Sequence, residues 1–218
     1  MMSYRKAGFG ILAAIACVAF APNAIAANLS PEVSAQITSC FSPADAAALP
    51  AAIDACTKLL AHPEFDAVHR SRIYLSRAAA YAGTGAGEKA VADFNKSIQL
   101  NPGEPHAYYN RGAYWMDHSN LVAAKADFKK AAQIDGTLTV AYLKIGAIDE
   151  QTGDFAGALE AFSQAIKNDP TDAKAFLGRS AANAKLGHGD AAIADIRSAV
   201  RLDPSLAGSV RINGKPVH

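Results

Sequence analysis

The sequence predicts an all-α fold assembled from tandem antiparallel helix hairpins. Three observations carry that prediction: a fixed period along the chain, repeat columns that hold small and large side chains in a constant order, and a composition conspicuous for alanine. Alanine joins high helix propensity to a small side chain, so helices rich in it form readily and approach one another closely. With 218 residues, half of them apolar, the chain can bury a sizeable core.

The period is marked by Asn101-Pro102, Asp135-Gly136, Asp169-Pro170 and Asp203-Pro204, which follow one another at a single constant spacing, the length of two short helices and two turns. With position 1 set at Ser71, the units are 71–104, 105–138, 139–172 and 173–206. Position 4 holds Tyr74, Tyr108, Tyr142 and Phe176, and position 24 holds Phe94, Phe128, Phe162 and Ile196. Small residues occupy position 8 (Ala78, Gly112, Gly146, Ser180), position 20 (Ala90, Ala124, Ala158, Ala192) and position 27 (Ser97, Ala131, Ala165, Ala199). Small side chains let two helices meet and large ones fill the remaining gap. The Pro or Gly at position 32 ends the second helix. One hairpin cannot bury both of its faces, so stability comes from stacking.

Positions 7 and 23 switch together. Arg77, Arg111, Ile145 and Arg179 are matched by Asp93, Asp127, Ala161 and Asp195. A half-buried charge left alone is costly, so a pair is kept or replaced as a unit. This predicts structural ion pairs Arg77–Asp93, Arg111–Asp127 and Arg179–Asp195, with the third unit apolar at both places.

Upstream, Ala51 to Pro63 has the pattern of a second helix, but it precedes its counterpart, Ala90 to Pro102, by five more positions than the period allows. We expect a divergent N-terminal hairpin over 27–70, with Pro50 as first helical residue of its second helix and a longer connection through Glu64 to His69. Cys40 and Cys56 form an even pair that a disulfide would join, the alternative being two buried thiols. Residues 207–218 are left as a C-terminal tail.

Residues 1–26 carry a basic start (Arg5, Lys6), an apolar run from Ala7 to Ala21 and a small-residue site, Ala24-Ile25-Ala26, which together read as a secretory signal cleaved after Ala26. The run is shorter than the roughly 20 residues a membrane span needs. Lipidation at Cys17 is disfavoured: Val18, Ala19 and Phe20 continue the run, and Ala14 stands where such signals usually carry Leu. Export, most simply to a periplasm, follows. Removing the signal leaves 19 basic against 20 acidic side chains, too even a balance to attract nucleic acid.

The spacing, with Tyr108-Tyr109-Asn110-Arg111-Gly112 opening a unit, resembles the tetratricopeptide repeat over residues 71–206. The resemblance implies a right-handed superhelical solenoid whose concave surface is lined mainly by first helices, at positions 2, 5, 6, 9, 12 and 13. Carried onto this sequence, the ligand groove comprises Arg72, His106, Tyr109, Asn110, Met116, Leu143, Lys144 and Lys174, with Val140, Leu177 and Lys185 nearby. Asn110 is placed to hydrogen-bond a peptide backbone. The carboxylate clamp of some members is incomplete, because Leu75 and Ala79 stand where a lysine and an asparagine are needed. At position 11, Tyr81, Trp115 and Asn183 share a column with Asp149, whose role is left open between a ligand and a neighbouring hairpin.

No chemistry emerges from the motifs. Gly83, Gly85, Gly87 and Lys89 mimic a phosphate loop, but Glu88 separates glycine from lysine and the segment joins two helices, so a hairpin turn is expected. The six histidines lack metal-ligand spacing and no nucleophile motif is present. The reading is a monomeric or weakly self-associating interaction scaffold without cofactor, metal or enzymatic activity, binding a protein segment in its groove. The alternative is an assembly subunit that docks through its convex face or edges.

Overall fold

In the computed structural model, residues 30–208, 211–212 and 215–216 are described, so the signal segment and Cys17 lie outside them. Among the described residues ten α-helices follow one another: α1 (Pro31–Phe41), α2 (Leu49–Ala61), α3 (Ala67–Gly83), α4 (Gly87–Leu100), α5 (Pro105–Asp117), α6 (Leu121–Ile134), α7 (Thr139–Thr152), α8 (Phe155–Asn168), α9 (Ala173–Lys185) and α10 (Gly189–Leu202). The described residues divide into two compact units, one ending at Asn120 and the other beginning at Leu121.

The first unit is built on hairpins α1·α2 and α3·α4, with α5 packed on α4. Val33, Cys40, Cys56, Leu59, Phe65 and Ile73 form one buried cluster, and Leu75, Ala78, Ala90, Phe94, Ala107 and Tyr114 another. Trp115 packs at the edge of the second, its ring set edge-on to Tyr114. In the second unit α6 packs on α7, which forms a hairpin with α8 as α9 does with α10.

Cys40 of α1 and Cys56 of α2 are joined by a disulfide with Cα atoms 4.9 Å apart, and both are buried. Closing this loop contributes about 3 kcal/mol in the chain-entropy view. Ser76 Oγ donates to the Cys40 carbonyl oxygen at 3.0 Å, tying α3 to the stapled hairpin.

Of the five extra residues before Ser71, four extend a helix and one lengthens the loop. The connection spans only residues 62–66, and α3 instead begins at Ala67, reaching 17 residues where α5 and α9 have 13. Asp66 caps the extension, accepting from the His69 amide at 2.8 Å. Arg70 fixes the connection by donating to the carbonyls of Phe65, Leu60 and His62 at 2.9, 2.6 and 2.8 Å. Pro50 likewise falls one residue inside α2, which Leu49 opens.

The residue that marks the period builds the turn. Asn101, Asp135, Asp169 and Asp203 each accept, through Oδ1, from the backbone N–H two residues on, at 3.2, 2.9, 2.9 and 3.0 Å. Within each hairpin, position 15 is left-handed: Gly85, Ser119, Gly153 and Gly187 have φ of 78°, 61°, 82° and 81°. The glycine-rich segment is this turn, as expected, and a side chain at Gly87 would strike the Tyr114 hydroxyl. After α10 the tail adds a 3₁₀ turn, Pro204–Gly208, and a two-residue antiparallel pair of β1 (Arg211–Ile212) with β2 (Lys215–Pro216).

Candidate functional site

Two hairpins show how position 7 is ordinarily filled. Arg77 donates to Asp93 through Nε at 2.7 Å and Nη2 at 3.0 Å, while Nη1 reaches Thr57 of α2 at 2.9 Å. Arg179 grips Asp195 in the same two-pronged way, at 3.0 and 2.6 Å, and Nη1 approaches Ser163 of α8 at 3.5 Å. Both guanidinium groups lie over the aromatic ring at position 4, 5.4 Å from Tyr74 and 5.7 Å from Phe176. The aspartates hold both arginine pKa values above their ordinary range, chiefly by hydrogen bonding. Arg111 also lies over its ring, Tyr108, and bonds Asn95 of α4 at 2.6 Å. Its expected partner, Asp127, is on α6 in the other compact unit.

In the third hairpin the arrangement is absent and a cavity of about 430 Å³ occupies the region of α6, α7 and α8. Ile145 and Ala161 stand where Arg and Asp are found elsewhere, and with Ala132 they form a buried apolar floor beside Tyr142. Lys129 occupies the column of Asn95 and Ser163. The second helices supply the walls: Lys129 and Gln133 on α6, Glu160 and Gln164 on α8, all four exposed.

Asp149 closes one end of this cavity. It is 2 % exposed, and its Oδ1 carries an ion pair with the ammonium of Lys125. Asp154 Oδ2 lies 3.5 Å from the same ammonium. Hydrogen bonding to Asp149 raises the Lys125 pKa above its ordinary value. Gly157 gives the carboxylate room, because a Cβ there would sit 2.8 Å from Asp149 Oδ2. The column of position 11 is polar again in the next hairpin, where buried Asn183 donates to Asp195 at 3.2 Å.

The groove residues inferred from the sequence fall elsewhere, and none of the eight lines this cavity. Several are already engaged: Tyr109 is 7 % exposed, and His106 and Arg72 both face Glu104, the N-cap of α5. Glu104 lies 2.9 Å from His106 Nδ1 and 3.8 Å from Arg72 Nε. Asn110 and Met116 are half-buried on α5. On the adjacent first helices α7 and α9, Leu143, Lys144 and Leu177 are partly exposed, and Val140, Lys174 and Lys185 are exposed. Sequence reasoning passed over Lys125, Lys129 and Glu160. Their signal in the sequence is the paired loss of charge at Ile145 and Ala161, which also leaves space.

Among the described residues no cluster of His, Cys, Asp and Glu could hold a metal ion, and no helix is long and apolar enough to cross a membrane. The tetratricopeptide repeat family matches twice, over residues 71–104 and 144–207. No curated protein matches the sequence significantly. Solved structures share the fold. A crystal structure of MamA is 23 % identical with a TM-score of 0.64, covering 74 % of this chain and 92 % of its own. MamA from Desulfovibrio magneticus RS-1 is 17 % identical with a TM-score of 0.65, covering 81 % and 97 %. YrrB, described as a TPR protein with an unusual peptide-binding site, is 20 % identical with a TM-score of 0.58, covering 72 % and 78 %.

Proposed function

We propose that this tetratricopeptide-repeat protein is a non-enzymatic interaction scaffold of the cell envelope, holding a protein segment on the face formed by the first helices of its hairpins. One observation carries the reading. Along α7 and α9 the internal columns are consumed by packing or ion pairing, while Val140 and Lys174 are exposed and Lys144, Leu177 and Leu143, which also packs on the Phe162 cluster, are partly so, mixing apolar stems with cationic heads. Such a strip suits an amphipathic segment carrying carboxylates, with the lysines supplying orientation and the leucines contact area. The peptide-binding site in the printed description of YrrB supports the class of ligand.

The envelope location rests on the signal-like residues 1–26 and on the Cys40–Cys56 disulfide, a bond that persists in oxidising compartments. Intact mass of the protein recovered from a periplasmic fraction is expected to fit cleavage after Ala26. Affinity capture from that fraction, identified by mass spectrometry, tests the binding face. Lys144→Glu with Lys174→Glu should abolish capture while leaving the unfolding midpoint within experimental error. Capture that survives both substitutions would transfer the docking role to the opposite face or the edges of the array.

A further inference from the structure

We propose that the cavity among α6, α7 and α8 is a second peptide-binding site, which takes a bulky apolar side chain flanked by an acidic residue on one side and a basic residue on the other. It is independent of the strip on α7 and α9. Its origin, its walls and its rim charges support this assignment.

The cavity coincides with coordinated replacements in the third hairpin. Where Arg77 and Arg179 fill the space and satisfy Asp93 and Asp195, the third hairpin has Ile145 and Ala161. Replacement by side chains of equal bulk would have closed the gap. These are smaller, and they leave about 430 Å³ with a floor of Ile145, Ala161 and Ala132. That volume lies within the usual range for a ligand pocket, about 300–1,000 Å³. An apolar side chain seated on this floor would gain burial against Ile145, Ala161 and Ala132.

The walls carry polar groups suited to a peptide. On α6, Lys129 is followed four residues later by Gln133, and on α8 Glu160 is followed four residues later by Gln164. Residues four apart share one face of a helix, so each wall presents a charge and then an amide. A glutamine amide both donates and accepts, which suits the main chain of an extended segment. The two wall charges are opposite, Lys129 for a ligand carboxylate and Glu160 for a ligand cation. Lys125 is paired with Asp149 and near Asp154, and the exposed Asp154 also feels the charge of Lys129. Complementary charges at the rim thus select orientation and the floor selects bulk.

The full chain, isotopically labelled, is titrated with the blocked tripeptide acetyl-Glu-Leu-Arg-amide and followed by NMR. Saturable shifts are expected at the amides of Tyr142, Ile145 and Ala161. Acetyl-Glu-Ala-Arg-amide should bind at least tenfold more weakly, since the floor then loses its apolar partner. Ile145→Arg with Ala161→Asp rebuilds the internal pair of the neighbouring hairpins, and it should abolish the shifts while keeping the helical circular dichroism and the unfolding midpoint. Lys129→Glu tests the rim without touching the core and should weaken binding several-fold, more at low salt than at high. Equal affinity for the leucine and alanine peptides would overturn the proposal, as would undiminished binding by the folded Ile145→Arg, Ala161→Asp protein.

Discussion

Lys125 on α6 holds the buried carboxylate of Asp149 on α7, so the contact that joins these helices at one end of the cavity is an ion pair, at a position where the hairpins of the first unit carry Tyr81 and Trp115. Burying a carboxylate is tolerated only with a partner of opposite charge in place.

Removing the lysine alone should therefore be worse than removing both groups. Lys125→Met is expected to cost about 3 kcal/mol, because it strands the Asp149 charge. Lys125→Met with Asp149→Leu should recover most of that loss. Urea unfolding of the four proteins in a double-mutant cycle reads the coupling; additive effects would show that the pair does not hold α6 to α7.

Phe162 is wedged between two glycines. A Cβ at Gly146 would lie 2.8 Å from its ring, and one at Gly178 would press on the same ring more closely still. Gly178→Ala should destabilise by about 1–2 kcal/mol through overpacking, despite the better helix propensity of alanine. Adding Phe162→Leu should relieve part of that penalty, so the thermal midpoint of the double variant should exceed the value expected from the two single changes.

Ser119 is the one non-glycine with positive φ among the described residues, 61°. An L-residue in that conformation is strained by about 1–2 kcal/mol. Ser119→Gly should raise stability by about 1 kcal/mol, the gain being reduced by the greater freedom of glycine in the unfolded chain. Gly153→Ser, the reciprocal change at the same repeat position, should lower it by a similar amount. Chemical denaturation distinguishes the two directions.

Glu104 gives the protein an acid limit. Its pKa is lowered from 4.5, first by the hydrogen bond with the His106 side chain and then by the His106 backbone amide, against burial, which opposes the shift. A carboxylate with a lowered folded pKa contributes stability that is complete above its unfolded value and is lost as pH falls through the folded one. Stability should decline below about pH 4.5 for this reason. Glu104→Gln should be less stable by about 1.5 kcal/mol at neutral pH, since it replaces a charged acceptor. Its stability should fall less steeply on acidification, so the two curves converge towards low pH.

Much of the hairpin array was legible because its determinants are local and repeated. The Asx residue that builds each turn, the small residue that permits helix contact and the aromatic that fills the gap recur once per unit at fixed positions, so each confirms the others. The loss of charge at Ile145 and Ala161 was visible for the same reason. What the loss does was not visible: columns record which residues change together, whereas the volume left behind depends on how far the surrounding helices close in. The extra residues before Ser71 were misplaced on similar grounds, since a count of five cannot say whether they extend a helix or a loop until Asp66 and Arg70 are seen fixing the helix start.

The sequence by itself determined the all-α hairpin array, its period and its turns, because these follow from backbone preferences and contacts between residues at fixed separation. Tertiary structure decided the rest. It buried Tyr109 and set His106 and Arg72 beside Glu104. It gave Asp149 to Lys125 and left space beside Ile145, because pairing and packing between helices depend on distances that no column of residues contains.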